Sequence, residues 1–359
     1  MSIALITDIH YGVRSDSSVF YDYYKKFNDI FFQKIDEEGI KTVALLGDLL
    51  DRRKFVNFIT SSRARKDLLE PLNERNIDVH VIAGNHDIFY KNTSEVSSLK
   101  ELLKPYNFHV YFEPQEVIIE DTKILMLPWI TDSNAEKSFD LIKSTNAEIC
   151  FGHLEIEGFE MDRGRFSDHG LNRSTFEKFD IVASGHFHHK SIQGNIHYLG
   201  APYEQDWSDY GDTKGFHIFD LQTRKFEFIM NPHNIFHMIK YDDLENPEKI
   251  RNLIKNADFS RFENAFVKVL CLNRNDSFLF DQFMEKINKE NPFELTVIED
   301  ASNFTELDPE GEIETVEDTM SLLDKYIDGL EINLDNNKLK RHMREIYTEA
   351  MSLESISVC

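Results

Sequence analysis

The sequence predicts an α/β fold in which two mixed β-sheets form a sandwich flanked by helices. Three observations predict it: short β-rich runs recur from residue 3 to about 230, helical stretches separate the early runs, and the later runs follow one another directly. Parallel strands need crossover connections, usually helices, whereas antiparallel strands are joined by short turns. A chain of 359 residues with 41% hydrophobic content can bury the large core that this fold requires.

Nine apolar runs account for the predicted strands of the two sheets. They are rich in β-branched and aliphatic residues, and turn residues bound them. In chain order they are IALIT, TVALL, VHVIA, KILML, EICF, DIVA, NIHYL, GFHIF and KFEFIM.

Three helices are predicted between these runs. The first ends at Gly39, and the second and third extend over about residues 61–73 and 136–144. The first helix has an apolar face at steps of three and four residues, which we expect to pack in the core: Phe20, Tyr24, Phe27, Phe31 and Ile35.

The α/β unit is predicted to occupy residues 1–232, with three segments after it. Residues 233–300 form a small α+β cap domain, with strands in FVKVLCL and FELTVIE and a helix in DSFLFDQFMEKINKE. Residues 301–313 are an acidic linker. Residues 314–359 carry two apolar seams at steps of four and three, which predict a helical hairpin that docks on a partner or on the protein's own body.

The net charge of the chain does not exclude a nucleic-acid partner. A formal charge of −24 argues against one, because phosphate contacts need a basic face. However, residues 299–335 hold 13 acidic residues and one basic residue, so 12 of the 24 excess charges are local to that segment. Small basic groups occur at 51–54, 63–66 and 161–165, and bound divalent cations would cancel further acid.

The remaining composition predicts a cytoplasmic protein. Cys150, Cys271 and Cys359 are too scattered for a disulfide framework or a thiolate metal site. There is no apolar run long enough to span a membrane, and the N-terminus has no basic segment before its short apolar run.

Five strand ends carry polar clusters, and this convergence is the main functional signal. Because the carboxyl ends of strands in an α/β sheet share one edge, these groups should meet in one crevice. Gly47, Gly84, Gly152 and Gly185 each precede a candidate ligand, where a missing Cβ lets the chain turn. The clusters contain Asp8, His10, Asp48, Asp51, Asn85, His86, Asp87, His153, His186 and His188.

The mix of carboxylate, amide and imidazole groups predicts a transition-metal site. Nitrogen and oxygen ligands suit Mn²⁺, Fe²⁺ or Zn²⁺ better than Ca²⁺. Seven groups are too many for one ion and natural for two ions about 3.5–4 Å apart, the geometry of phosphoryl transfer.

The stretch SGHFHHK raises the question of which of its three histidines serve this site. If the chain stays extended after Ser184, His186 and His188 point the same way and His189 points the other way. We therefore expect His186 and His188 at the site and His189 away from it.

The ordered set Asp8-x-His10, Gly47-Asp48-x-x-Asp51, Gly84-Asn85-His86-Asp87, Gly152-His153 and Gly185-His186-x-His188 resembles the calcineurin-like metallophosphoesterase signature. Within that superfamily, GNHDIFYKN, GHLEIEGF and the small domain with a helical tail are similar to SbcD-type DNA repair nucleases, including those of phages. The superfamily resemblance covers residues 1 to about 230, and beyond that it rests on architecture.

The resemblance implies two divalent cations, with Mn²⁺ as the preferred ion and Mg²⁺ as the second choice. One would be bound by Asp8, His10, Asp48 and His188, and the other by Asp48, Asn85, His153 and His186. His86 would orient the scissile phosphate and protonate the leaving oxygen. We expect Asp87 to hydrogen-bond His86 and aim its ring. Asp51 either supports the site or only ends a turn, since related nucleases have a histidine near its place.

The resemblance also implies a function and partners. The chain would be the nuclease subunit of a DNA repair or recombination complex, acting as exonuclease on duplex ends and as endonuclease on single strands. An SbcC-type, SMC-like coiled-coil ATPase would gate it through the hairpin, within a heterotetramer containing two copies of each subunit. A phage-encoded protein of this kind would act in the host-cell cytoplasm. Two alternatives stay open: a phosphatase or phosphodiesterase for proteins or small molecules, and a non-catalytic scaffold.

Overall fold

Two six-stranded mixed sheets pack face to face, as the sequence predicts. The computed structural model describes residues 2–162, 164–244 and 247–299. The first sheet has the order β14-β13-β1-β2-β3-β4 and the second the order β11-β12-β10-β7-β6-β5. The strands of the first sheet are β1 (Ser2–Ile6), β2 (Thr42–Leu45), β3 (Asp78–Ile82), β4 (His109–Tyr111), β13 (Gly215–Asp220) and β14 (Phe226–Met230). Those of the second are β5 (Gln115–Ile119), β6 (Thr122–Leu127), β7 (Ile149–His153), β10 (Ile181–Gly185), β11 (Ser191–Gln193) and β12 (Ile196–Tyr198).

Helices cover the outer faces of this sandwich. The first sheet is covered by α2 (Ser18–Glu37) and by α3 (Phe58–Ala64), which continues through a π-turn at Arg65–Leu69 into α4 (Glu70–Glu74). The second is covered by α6 (Ala135–Ser144). Two short segments complete this set, α1 (Val13–Asp16) and α5 (Ser98–Leu102). The three predicted helices are therefore confirmed, and the aromatic stripe of α2 is buried throughout.

The strands at the centre of each sheet are apolar on both faces because the sandwich buries both. Leu5 and Phe151 belong to the core between the sheets, whereas Ile6 packs under α2 and Cys150 under α6. Such two-sided burial explains why these runs are continuously apolar instead of alternating.

A third sheet lies beyond the sandwich, in residues 236–298. Its parallel strands β15 (Phe236–Asp242), β16 (Phe266–Asn273) and β17 (Glu294–Ile298) are connected by α7 (Pro247–Asn256) and α8 (Ser277–Asn288). The unit has its own core, centred on residues such as Val269 and Phe283. A small hairpin, β8 (Glu160–Asp162) and β9 (Arg165–Phe166), completes the described elements.

This small unit is attached to the sandwich by aromatic packing and by one buried carboxylate. The Phe236 ring lies 4.7 Å from Trp207 and 6.0 Å from Phe20. The Glu204 side chain, 1% exposed, accepts hydrogen bonds from the backbone N–H groups of Ile235 at 2.5 Å and Phe236 at 2.9 Å. Burial raises the pKa of Glu204 to about 7.

Several elements are not predicted from the sequence: β4, β5, β11, β15, the β8–β9 hairpin and α7. Most are edge strands or pieces of two to five residues, which are too short to show a period. The chain divides into two units, residues 1–313 and 314–359, and the predicted linker and hairpin lie outside the described residues. Within the described residues, no helix is long and apolar enough to cross a membrane.

Candidate metal centre

Five strands bring the predicted polar residues to one edge of the sandwich. Three of these strands, β1, β2 and β3, belong to the first sheet, and β7 and β10 belong to the second. The parallel pairs β1–β2, β2–β3 and β7–β10 align their carboxyl ends, as expected for a ligand crevice. The site therefore forms where the ends of the two sheets meet.

Asp48 lies at the middle of the site and contacts groups on both sides. Its Oδ2 atom is 3.6 Å from Nε2 of His10 and 3.3 Å from Nε2 of His153. Its Oδ1 atom accepts a hydrogen bond from the backbone N–H of His86 at 2.8 Å. One carboxylate is thus shared by two groups of donors.

The first donor group consists of Asp8, His10 and His188. The Nε2 atoms of His10 and His188 face each other at 3.2 Å, and Nε2 of His10 is 3.9 Å from Oδ1 of Asp8. Their ligand atoms all lie within 4.8 Å of one another.

The second donor group consists of Asn85, His153 and His186. The Oδ1 atom of Asn85 is 3.0 Å from Nε2 of His153 and 3.0 Å from Nδ1 of His186. Nδ1 of His153 is 2.8 Å from the carbonyl of Leu46, which fixes the tautomer and leaves Nε2 free to bind a cation.

The chemistry of these groups fits two divalent cations. Burial lowers the pKa of His10 well below its ordinary value and also lowers that of His186, so both imidazoles keep a lone pair. Burial opposes ionisation of Asp48, but the imidazoles of His153 and His10 outweigh it and hold its pKa well below the ordinary value. Burial opposes protonation of His153, but the Asp48 carboxylate outweighs it and raises the pKa of His153 to about 9, so a cation at Nε2 would displace a proton there. Imidazole nitrogens, an amide oxygen and carboxylates are suitable ligands for Mn²⁺, Fe²⁺ or Zn²⁺.

The backbone around the site is strained. Asp8, His10, Asp48 and His186 have φ angles of 52°, 49°, 53° and 95°, a region that side chains with a Cβ rarely adopt. Such strain persists only where the surroundings enforce it, and it clusters at functional sites.

Three glycines make room for this backbone. A Cβ on Gly47, where φ is 96°, would lie 2.3 Å from Nδ1 of His153, and one on Gly84 would lie 2.1 Å from Oδ1 of Asp48. A Cβ on Gly185 would lie 1.9 Å from Oγ1 of Thr7, whereas one on Gly152 would meet only the Leu154 side chain. The space requirement predicted for these glycines therefore holds strictly at Gly47, Gly84 and Gly185, and less at Gly152.

Asp87 supports the Asp48 loop and does not aim His86, contrary to the expectation from sequence. Its buried carboxylate accepts hydrogen bonds from the backbone N–H groups of Asp48 at 2.8 Å, Leu49 at 3.1 Å and Gly84 at 2.9 Å. These donors lie on the turns that follow β2 and β3, so the carboxylate ties the two turns together.

Asp51, and not Asp87, contacts the ring of His86. Its backbone carbonyl is 2.5 Å from Nδ1 of His86, which directs the opposite ring nitrogen, Nε2, away from this contact. Its Oδ1 atom is 3.7 Å from Nδ1 of His10. Burial raises the pKa of the Asp51 carboxyl.

His186 and His188 both reach the site, but the predicted reason is wrong. Strand β10 ends at Gly185, and the chain turns at His186 with φ 95° instead of staying extended. Phe187 packs against Tyr198, with ring centroids 4.6 Å apart. His189 lies away from the site as expected, with Nδ1 3.1 Å from Asp212 and Nε2 3.4 Å from Glu160.

Three supporting residues are missed by the sequence analysis. Gln205 donates from Nε2 to the carbonyl of Asp8 at 2.7 Å, and Tyr203 donates from its hydroxyl to the carbonyl of Ile9 at 2.9 Å. Glu155 lies 3.7 Å from Nε2 of His186. Of these three residues, only Glu155 lies near one of the sequence motifs, two positions after His153.

A carboxylate shared by two donor groups at the strand ends could hold two divalent cations, the arrangement of a two-metal phosphoesterase. The calcineurin-like phosphoesterase family matches residues 1–190, and the chain belongs to this family. It is also 31% identical to exonuclease subunit 1 of Enterobacteria phage T4 over 358 residues, which is 98% of this chain and 99% of that protein. The family is one of enzymes that use two divalent metals.

Solved structures resemble the chain more distantly. A novel archaeal phosphodiesterase is 17% identical, with a TM-score of 0.34, and the match covers 64% of this chain and 99% of that one. A dimetal phosphatase from Danio rerio is 13% identical, with a TM-score of 0.40, and the match covers 61% of this chain and 91% of that one. The family assignment rests on the sequence matches.

Replacing Gly84 by Ala should displace Asp48, the carboxylate that the two donor groups share. The added Cβ would lie 2.1 Å from Oδ1 and 2.5 Å from the backbone nitrogen of Asp48, so that loop must move. We expect Mn²⁺ affinity, measured by isothermal titration calorimetry, to fall about 10- to 100-fold. The control is Gly152→Ala, which also precedes a ligand candidate but displaces only Leu154. Wild-type affinity in a folded Gly84→Ala protein would contradict the packing argument.

Proposed function

We propose that this protein is the nuclease subunit of a DNA repair or recombination complex and hydrolyses DNA phosphodiester bonds. The observation that carries the proposal is the Asp48 carboxylate, shared by two donor groups and flanked by His86. The relative named an exonuclease subunit spans nearly the whole chain, which supports DNA as the substrate and an assembly with another protein.

The two cations would be held by the residues that the sequence singles out. Asp8, His10 and His188 would bind one, Asn85, His153 and His186 the other, and Asp48 would bridge them. When bound, a pair of divalent ions orients the scissile phosphate, lowers the pKa of water and stabilises the charge of the in-line displacement. Mn²⁺ is the proposed physiological ion, with Mg²⁺ as the second choice.

His86 would be the general acid. Its ring lies 4.9 Å from the ring of His10, and its ligand nitrogen lies within 4.8 Å of ligand atoms of His10 and Asp48, so it borders the position proposed for the first cation. The short contact between Nδ1 and the Asp51 carbonyl fixes the ring with its proton on Nδ1. In the imidazolium form, Nε2–H would then donate its proton to the leaving oxygen and leave the neutral ring. Asp51 and Asp87 would be positioning residues, the first acting on His86 through its backbone carbonyl and the second on the Asp48 loop.

A basic and aromatic groove beside the site supports a DNA substrate. It encloses about 380 Å³ and is lined by Leu50, Arg53, Lys54, Phe55 and other residues. Leu50 directly precedes Asp51, so the groove adjoins the chain segment that borders the metal centre. Nη1 of Arg53 is buried without a hydrogen-bond partner among the described residues, and Phe55 is 61% exposed. A guanidinium and an exposed ring suit a phosphate and a stacked base.

The domain organisation of the proposal follows the sequence. Residues 1–232 would be the nuclease domain, and residues 233–300 would help to bind duplex DNA. The acidic segment 301–313 would link them to residues 314–359, which would bind the coiled coil of an SMC-like ATPase. Two copies of each subunit would form a heterotetramer in the cytoplasm, which is the host cytoplasm if a phage encodes the protein.

Replacing His86 by Gln should separate chemistry from metal binding. We expect kcat on linear duplex DNA with Mn²⁺ to fall about 10²- to 10⁴-fold, the usual contribution of general acid catalysis, with the metal content unchanged. The matched variant Asp48→Asn should lose bound metal as well as activity. Metal content is measured by mass spectrometry after dialysis. A His86→Gln enzyme with wild-type kcat would exclude the acid role.

Replacing Arg53 by Ala should weaken DNA binding selectively. We expect KM for duplex DNA to rise about tenfold at moderate salt, because one phosphate contact is lost. Hydrolysis of a small phosphodiester such as bis(p-nitrophenyl) phosphate should stay at the wild-type rate. Lys225→Ala serves as control, because it removes an exposed cation from the turn between β13 and β14, at the edge of the first sheet opposite the metal centre. Faster turnover of phosphoproteins or nucleotides than of DNA would favour the phosphatase alternative.

Deleting residues 314–359 should abolish assembly. The two apolar seams of this segment are the proposed binding surface for the ATPase. Co-purification with the ATPase should be lost, while metal content and hydrolysis of the small phosphodiester stay unchanged. Loss of folding in the truncated chain, measured by circular dichroism, would show instead that the segment packs on the protein's own body.

A further inference from the structure

A second cluster of metal-ligand side chains lies on strands β3 and β4, outside the site described above. It consists of Asp78, His80 and His109, whose ligand atoms all lie within 4.8 Å of one another. Asp78 and His80 are two residues apart on β3 and so share a face of the sheet. His109 pairs directly with His80 in the parallel β3–β4 ladder, which places the two imidazoles side by side.

One carboxylate contacts both imidazoles. Oδ2 of Asp78 is 3.2 Å from Nε2 of His80, and Oδ1 is 3.1 Å from Nε2 of His109. The two rings stack with centroids 4.8 Å apart and planes at 20°. A tetrahedral Zn²⁺ ion with bonds of about 2.0–2.1 Å separates its ligand atoms by roughly 3.3 Å, so the two carboxylate distances already match that spacing.

The ring of His80 is held in the orientation that a metal ligand requires. Its side chain is buried, and Nδ1 is 2.8 Å from the hydroxyl of Tyr111 on β4. When Nδ1–H donates to that hydroxyl, Nε2 keeps its lone pair on the side of Asp78 and His109. Burial also lowers the pKa of His80, which favours the neutral imidazole.

We propose that Asp78, His80 and His109 form a separate binding site for one Zn²⁺ ion. Two imidazoles and one carboxylate select Zn²⁺ and similar late transition ions over Mn²⁺ or Mg²⁺. Asp78 and His109 are about half exposed, which leaves space for water as the fourth ligand.

The position of this site gives it a structural role. Asp78 begins β3, whereas Asn85 and His86 follow the end of that strand, so the cluster lies at the opposite edge of the sheet from the metal centre. Strand β4 is the edge strand and has three residues. A Zn²⁺ ion bound by both strands would fasten β4 to β3, and its binding would stabilise the folded state.

The test compares Zn²⁺ binding by the full-length protein and its His109→Asn variant. After equilibrium dialysis against buffered micromolar Zn²⁺, we expect the wild type to hold one more equivalent than His109→Asn. The phosphoesterase centre takes up Zn²⁺ equally in both, so the difference isolates the new site. Zn²⁺ should also raise the melting temperature of the wild type more than that of the variant. Asp78→Asn should behave like His109→Asn, and His233→Asn should behave like the wild type.

Equal Zn²⁺ content in the wild type and both cluster variants would overturn the proposal. A variant that loses melting temperature equally with and without Zn²⁺ would also overturn it, because that result indicates an ion pair alone. Mn²⁺-dependent phosphodiester hydrolysis by His109→Asn should equal that of the wild type. This readout makes failure of the Zn²⁺ site distinguishable from failure of the proposed nuclease function.

Discussion

The architecture of the site depends on one constraint: the Asp48 carboxylate must lie between donors that come from both sheets. Its contacts with His10 and His153 join a residue of the first sheet's edge to a residue of the second. The left-handed backbone at Asp48, the missing Cβ at Gly84 and the hydrogen bonds from the Asp48 loop to Asp87 all serve this position. Burial of an unpaired carboxylate there is unfavourable, so positively charged or metal partners are required.

The alignment of the strands turns this local constraint into a requirement on the whole fold. The parallel pairings of β1, β2 and β3 set the level at which Asp8, Asp48 and Asn85 leave the sheet. The β7–β10 pairing does the same for His153 and His186. A shift of one residue in any strand would turn each side chain to the other face. The apolar packing on both faces of the central strands therefore fixes the register that brings the site residues together.

The sequence predicts which polar residues gather at one edge of the sandwich, because they lie at the ends of apolar runs, where strand polarity alone determines the edge. It predicts the supporting residues poorly, because their partners are distant in the chain. Gln205 meets Asp8 across 197 residues, and nothing in the local sequence indicates the contact. The expectation that Asp87 aims His86 is wrong for the same reason. The two residues are adjacent in the sequence, but the hydrogen-bond donors to the Asp87 carboxylate come from the backbone of the turn after β2. The turn at His186 likewise cannot be read from alternation, because its φ depends on the space at Gly185.

The buried Glu204 joins the sandwich to the small unit of residues 236–298 by hydrogen bonds. Glu204 holds the first residues of the small unit, while its neighbour Gln205 holds the carbonyl of Asp8. Glu204 and Gln205 are adjacent, so the residue that holds the small unit is bonded directly to the residue that holds the backbone of Asp8, a proposed metal ligand. Rotation of the small unit about its attachment would pull on this segment and change the position of Asp8. A displacement of residues 236–298 would therefore act on Asp8 by two routes: through the hydrogen bonds of Glu204 and Gln205, and through the packing of Phe236 in the core beneath α2.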